Sequence, residues 1–479
     1  MDEYPTPVRY DLVISGGRVV TPDGVLERTV AVHDGRIHAL LPAGAAPPAL
    51  RTLDAAGRHV LPGVLDSHVH FRTPGLTHKE DWAHGSRAAA AGGVTTVIDM
   101  PNTRPALHDP DDAPAKAALI EGTSLVDYRF HFGVGTGTVD ALQRLTPRVA
   151  TSVKVFMTGH HTAPDVIRDP VLLDRIFAVA AERGLRVVLH AEDDAVFSLL
   201  DADRPEPSRY EAYEPARPRT GGIVAVARVI ELVRRHGTAA HVLHVSSAEE
   251  CELLLAARRT GLPVTFETTP HHLTFTRADT RRLGARIRLS PAIREPRDQD
   301  RLWDALIHEG LATIGSDHAP HTIEEKTRPP ADAPPGLPGV QELLTAVVTG
   351  MRRRWPDRPV DDLLALAARL CSTRPADLFG LGHGKGRIAV GYDADLVVFD
   401  ADATWFLTAD AVRSKCGWSA YEGSTFTGRP DITVRRGEVI WDRATGTFGR
   451  PDGQWLDARA PADGLPPAPP GPARQYIPA

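Results

Sequence analysis

Between residues 59 and 317, short apolar runs alternate with longer segments of helical periodicity, and no other feature of this sequence limits its fold as strongly. The strand-like runs are His59–His70, Val94–Asp99, Tyr128–Val134, Ser152–Phe156, Arg186–His190, Ala240–His244, Pro263–Glu267 and Ala312–Asp317. Helical patterns fall between several of them, at Ala83–Ala91, Pro170–Arg183, Gly222–His236 and Ala248–Arg259. Strands joined through helices pair in parallel, because only a long crossover returns the chain to the same starting edge. Eight such units predict an α/β fold closed on itself, the (β/α)8 TIM barrel, in preference to an open doubly wound sheet. Hydrophobic residues make up 42% of the 479, ample for such a core.

The two ends have a different texture. Residues 11–60 alternate apolar and polar positions between glycine turns, as in Asp11–Gly17 and Val30–Ile37. Residues 386–442 do the same, in Gly386–Val390, Ala394–Phe399 and Thr433–Ile440. Similar segments flanking a dissimilar middle predict one small β-sandwich built from both ends of the chain. The expected division is 1–61 and 386–458 for the sandwich, 62–385 for the barrel, and a Pro-rich tail over 459–479.

Charge and cysteine usage narrow the partners. With 55 basic against 61 acidic residues and a net charge of -6, neither nucleic acid nor an anionic membrane surface is an expected partner. No run approaches the roughly 18 uncharged apolar residues of a spanning helix. The polar, proline-bearing segment Met1–Tyr10 does not read as a signal peptide. Cys251, Cys371 and Cys416 are scattered and form no CxxC pair, which excludes a zinc ribbon and fits a reducing compartment. A cytoplasmic protein is expected.

Active sites of such barrels lie at the C-terminal ends of the strands, and the polar residues there are informative. The first strand ends in Asp66-Ser-His-Val-His70, whose histidines, two apart, face the same side. Lys154 lies on the fourth strand, His190 and His244 end the fifth and sixth, and Asp317 ends the eighth. Singly, each has a packing explanation: a surface HxH pair, a lysine snorkelling to the rim, an aspartate capping a helix. Together, so many polar groups at one end of a barrel would be costly to bury without a shared partner, and a metal centre satisfies them all.

The lysine indicates which kind of centre. An ammonium cannot bind a cation, but a lysine of depressed pKa reacts with carbon dioxide to give a carbamate with two ligating oxygens. The reading is a binuclear centre, with His68, His70 and Asp317 on one divalent ion, His190 and His244 on the other, and carboxylated Lys154 between them. Nitrogen and oxygen ligands suit zinc (Zn2+), with manganese or cobalt as alternatives. Water between the ions would ionise near neutral pH and attack an amide carbonyl, with Asp317 carrying its proton to the leaving nitrogen.

With their surroundings, these residues resemble the cyclic amidohydrolases, and most closely the dihydroorotases. The resemblance runs from about Leu12 to Arg443 and is carried by Asp66–Gly75, Ala90–Thr103, His190–Asp193, His244–Ser247, Thr269–Leu273 and Gly315–His321. It implies a small-molecule cyclic amide as substrate, reversible interconversion of dihydroorotate and N-carbamoyl-L-aspartate in pyrimidine biosynthesis, and a homodimer or tetramer. It also implies that Arg72, Asn102 and His321 hold the substrate carboxylate, a role their donors suit. A supporting role behind the substrate stays open for His321. The loop Pro334–Gly339 either lines the substrate or is an ordinary connection.

Three departures bear on the substrate. Thr73 stands where dihydroorotases usually carry Glu, and Ser290-Pro-Ala-Ile-Arg294 where Asn-Pro-Pro-Leu-Arg is common. Thr158-Gly-His-His-Thr162 replaces the Gly/Ser-rich loop of lysine-containing relatives. Allantoinase, a hydantoinase- or dihydropyrimidinase-type enzyme, and a dihydroorotase-like enzyme of a specialised pathway are therefore alternatives. A non-catalytic scaffold is the reading outside enzymes, and six occupied ligand positions argue against it.

Overall fold

The structure, a computed structural model, describes residues 9–159, 165–201, 208–308 and 312–459. The predicted His160–His161 loop and all but the first residue of the predicted tail lie outside them. Eight parallel strands form the barrel: β1 (Val64–Val69), β2 (Val94–Asp99), β3 (Asp127–Phe130, resuming at Phe132–Gly133), β4 (Ser152–Phe156), β5 (Arg186–His190), β6 (Ala240–Val242), β7 (Val264–Thr268) and β8 (Ala312–Ile314). The first half of β3 pairs with β2 and its resumed end pairs with β4, so one strand hands the sheet on past His131. A bridge between Val69 and His318 joins the last strand to the first and closes the ring.

Every residue of β1, β2, β4 and β7 is buried. A strand covered by helices outside and side chains inside has no solvent face, so even its polar residues, Lys154 on β4 and Glu267 on β7 among them, are buried. The surrounding helices are delimited by the sequence itself. Asp81 caps α1 (Trp82–Ala91) by accepting from the His84 amide, and Asp169 caps α2 (Pro170–Glu182) ahead of a proline at its first position. Left-handed Gly237 ends α3 (Arg219–His236), and a reciprocal Ser247–Glu250 box opens α4 (Ala248–Arg259).

The structure differs from the sequence reading in instructive places. His59–His70 is two strands, since His59–Pro62 pairs antiparallel with Leu396–Phe406 while β1 enters the barrel. Gly63 makes the break: a Cβ there would lie 2.2 Å from the Thr95 hydroxyl. β6 and β8 stop short of the expected His244 and Asp317 because those residues have φ of 39° and 43°, left-handed values no strand tolerates.

Strands Tyr10–Ser15, Arg18–Thr21, Gly24–His33, Arg36–Pro42, Ala49–Asp54 and His59–Pro62 join four C-terminal strands between 396 and 448 in one 10-stranded sheet. Gly24–His33 pairs with Arg18–Thr21 at its start and with Tyr10–Ser15 at its end, and so links the two layers. Leu12, Ile14, Val32 and Val60 from one end of the chain pack with Leu396, Val398 and Val434 from the other. A buried ion cluster ties this β domain to the barrel, with Lys385 Nζ 2.6 Å from Asp127, 3.0 Å from Asp393 and 2.8 Å from Asp395. The last described segment leaves the β domain and lies along β3, where the Leu456 amide donates to the Tyr128 carbonyl. Among the described residues no helix is long and apolar enough to cross a membrane.

Candidate metal centre and substrate cleft

At the C-terminal end of the barrel, five strands deliver six polar side chains to one cleft. His68 comes from β1 and His70 from just past it, Lys154 from β4, His190 from β5, His244 from beyond β6, and Asp317 from beyond β8; all six line the same opening. Side-chain alternation along β1 turns both of its histidines inward. His68 Nε2 and His70 Nε2 lie 3.1 and 3.3 Å from the same oxygen of Asp317. Ring centroids of His68 and His244 are 5.5 Å apart, and those of His190 and His244 4.6 Å. The left-handed conformations of His244 and Asp317, and of Arg72 at φ 61°, put backbone strain at this site.

A second ring of contacts fixes the imidazoles. His68 Nδ1 is 2.7 Å from Glu267 Oε1, His70 Nδ1 donates to Asn102 Oδ1 at 2.8 Å, and His190 Nε2 is 2.8 Å from Glu192. Arg217 holds Glu192 in turn at 2.9 Å. Such partners choose which nitrogen each ring turns toward the cluster.

Burial and neighbouring charges set the protonation of the cluster. Burial alone would raise the Asp317 carboxyl, but neighbouring His68 and the hydrogen bonds from His68 and His70 hold it well below the usual range. Burial would lower His68, yet Asp317 and Glu267 push it up to about 9, so a cation between those carboxylates is favoured. Burial takes His70 down to about 3 and also lowers His190 and His244, leaving neutral imidazoles fit to ligate. Lys154 is lowered to about 7, mainly by burial. Its buried Nζ rests 4.5 Å from the Phe156 ring centroid. His68, His70 and Asp317 bring their ligand atoms within 4.8 Å of one another, so the donor set fits a divalent ion of the borderline type.

The structure surrounds the three expected carboxylate contacts differently. Arg72 lines the cleft; it is 2% exposed, and among the described residues the only hydrogen bond of its side chain is a long one of 3.4 Å from Nη2 to the Pro320 carbonyl. Its Nε and Nη1 are buried with no partner among the described residues. Burial lowers it to about 10, which leaves it charged at neutral pH. Asn102 lines a neighbouring cleft and is occupied in holding His70. Both ring nitrogens of His321 are committed, Nδ1 to Lys79 at 3.0 Å and Nε2 to the Pro335 carbonyl at 3.0 Å. His321 thus faces the Pro334–Gly339 loop and not the cleft.

That loop is part of the wall, since Pro335 and Gly336 line the cleft. Buried Lys326 pins it by donating to the Pro334 and Gly336 carbonyls at 2.9 and 2.8 Å. Of the three departures, Ser290 also lines the cleft and meets the Tyr213 hydroxyl at 2.9 Å, while Thr73 does not reach it. Sequence reasoning passed over Glu267, Glu192, Arg217 and Lys326. Glu267 could have been found by the strand-end rule, because it sits at the end of β7; nothing local marks Arg217 or Lys326.

Comparison with known proteins follows the same lines. The amidohydrolase family pattern matches residues 59–440. The chain is 36% identical over 437 residues to the dihydroorotase of Methanothermobacter thermautotrophicus, covering 90% of this chain and 94% of the relative. It is 35% identical over 450 residues to the allantoinase of Streptomyces avermitilis, covering 93% and 98%. Among solved structures, the L-hydantoinase (dihydropyrimidinase) of Arthrobacter aurescens superposes with a TM-score of 0.86 at 30% identity, over 93% of this chain and 99% of that one.

Proposed function

The chain belongs to the amidohydrolase family, and from that premise we propose that this cyclic-amide hydrolase acts on dihydroorotate, interconverting it with N-carbamoyl-L-aspartate. The observation that carries the substrate is Arg72. A guanidinium so deeply buried, with two nitrogens unpartnered beside the histidine cluster, calls for an anionic group in the cleft. Dihydroorotate brings a ring carboxylate; allantoin, hydantoin and dihydrouracil bring none and would leave those two nitrogens without an anionic acceptor. Arg72 is then the direct carboxylate contact, Asn102 orients His70, and His321 supports the loop wall.

For the chemistry we infer two divalent ions, zinc being the first choice, with His68, His70 and Asp317 holding one and His190 and His244 the other. Such ions polarise an amide carbonyl and acidify water. Lys154, close to neutrality near pH 7, is read as the carboxylated bridge between them. Ionised Asp317 faces the reacting centre, accepts a proton from the attacking water and delivers it to the ring nitrogen as the C–N bond breaks. Glu267, Asn102 and Glu192 keep the rings aimed while this happens. All three cysteines are free, which agrees with a cytoplasmic setting.

The test is turnover of the zinc-loaded protein on dihydroorotate and N-carbamoyl-L-aspartate, with allantoin, hydantoin and dihydrouracil in parallel. Selective conversion of the dihydroorotate pair is expected. Activity confined to neutral rings would overturn the substrate and retain the hydrolase.

A further inference from the structure

His318 follows Asp317 in the chain and is fully buried. Its main chain joins two parts of the site. The His70 amide donates to its carbonyl at 2.9 Å, and bridges tie it to Val69 on β1 and to Leu337 in the cleft loop. Its ring reaches the same loop: Nδ1 accepts from the Gly339 amide at 3.1 Å and from the Val340 amide at 3.4 Å. Backbone amides only donate, so Nδ1 is the bare nitrogen and the ring proton sits on Nε2. Nε2 lies 3.3 Å from Glu80 Oε2, and the Phe71 ring packs edge-on against the imidazole. Glu80 is itself fully buried, accepting from the Asp81 amide at 3.1 Å and the Lys415 amide at 3.2 Å. Among the described residues its one ion-pair partner is His318. Burying a carboxylate in this way is costly, and the capping of α1 falls to Asp81 instead.

We propose that Glu80 and His318 are positioning residues of the hydrolase: Glu80 keeps the ring proton of His318 on Nε2, and the bare Nδ1 fastens the cleft loop in register with Asp317. The proposal rests on the reading of the histidine-lined cleft as the substrate's. With the proton on Nδ1, the ring would turn a donor toward two donors, and the Gly339 and Val340 amides would lose their buried acceptor. Glu80 receives a hydrogen bond only from the Nε2 side, so it disfavours that state. Pro335 and Gly336 of the same loop line the cleft. One residue thus sets both the wall and the start of the segment that carries Asp317, and a loosened loop shows first in substrate binding. The Asp317 carboxylate keeps its own contacts to His68 and His70, so the chemical step is spared.

His318→Asn places an amide oxygen where Nδ1 stands and keeps an acceptor for the loop, whereas His318→Leu removes it at similar volume. Kinetics are measured on whichever cyclic amide the parent opens fastest. His318→Leu and Glu80→Met are each expected to raise KM about tenfold with kcat changed less than about threefold, and His318→Asn to stay within about threefold of the parent in both. Glu80→Met added to His318→Leu is expected to change KM no further, because Glu80 acts through His318. In the zinc-loaded parent with 15N-labelled histidine, the His318 signals, assigned by their loss in His318→Asn, are expected to place the proton on Nε2. In Glu80→Met they are expected to shift toward the Nδ1 form. A proton on Nδ1 in the parent overturns the proposal, as does a KM in His318→Asn as high as in His318→Leu. A fall in kcat as large as the rise in KM, with a lowered Tm, shows a merely structural pair and overturns it too. If His318→Leu does not fold, Glu80→Met and the parent tautomer decide. A parent that carries the Nε2 proton yet opens no cyclic amide overturns the functional reading and the positioning role with it, so the two failures are distinguishable.

Discussion

Replacing Arg72 with methionine removes a charge while keeping most of the side-chain volume, and two opposite consequences follow. In the parent protein Nε and Nη1 are buried without partners beside the histidine cluster. A substrate carboxylate meeting them forms charge-assisted hydrogen bonds of about 1.5–3 kcal/mol each, and truncating one side of a buried charge pair costs about 2–5 kcal/mol. Taking about 3 kcal/mol, kcat/KM for dihydroorotate should fall about a hundredfold. The carboxylate does not change during ring opening, so most of the fall should appear in KM and little in kcat. Slow turnover of hydantoin or dihydrouracil, if measurable, should change by less than about twofold, because neutral rings have no group for the guanidinium to hold. Stability should be unchanged or higher, since a deeply buried cation with one long hydrogen bond is replaced by an apolar chain. Steady-state ring-opening assays on both substrate classes and a thermal melt decide the matter. A loss equal on charged and neutral rings with a lowered Tm would show that Arg72 is structural and refute the substrate assignment.

Three further outcomes are expected. Lys154→Ala should lose bound metal and activity together, with partial rescue by acetate or propionate standing in for the carbamate; full metal content by elemental analysis would remove the bridging role. Glu267→Gln keeps the hydrogen bond to His68 but removes its charge, so metal affinity should drop about 10- to 100-fold in a chelator competition with the circular dichroism unchanged. Lys385→Met leaves Asp127, Asp393 and Asp395 without their shared cation, and should cost about 3–5 kcal/mol of stability in urea unfolding. A loss below about 1 kcal/mol there would mean that Lys385 adds little to the joint between the barrel and the β domain.

Much of the architecture was legible before any coordinates because it rests on local periodicity. Short strand-like runs recurring between helical segments, as at β2 and β4, mark the barrel, and capping residues such as Asp81, Asp169 and Ser247 mark where helices begin. The six residues of the cluster were legible for a related reason: strand ends of a barrel converge, so polar residues at those positions are brought together by topology alone. What a linear pattern cannot carry is direction. The sequence placed Arg72, Asn102 and His321 near the same end, but which of them meets the cleft depends on the partners each side chain finds across the fold. His321 is engaged by Lys79 and Pro335, Asn102 by His70, and Arg72 keeps two buried nitrogens without a partner among the described residues. Sequence alone determined which strands form and which chemical groups their ends carry, since those follow from local periodicity and residue type. Tertiary structure decided which of those groups are satisfied and which are left to bind something else, since that depends on long-range packing.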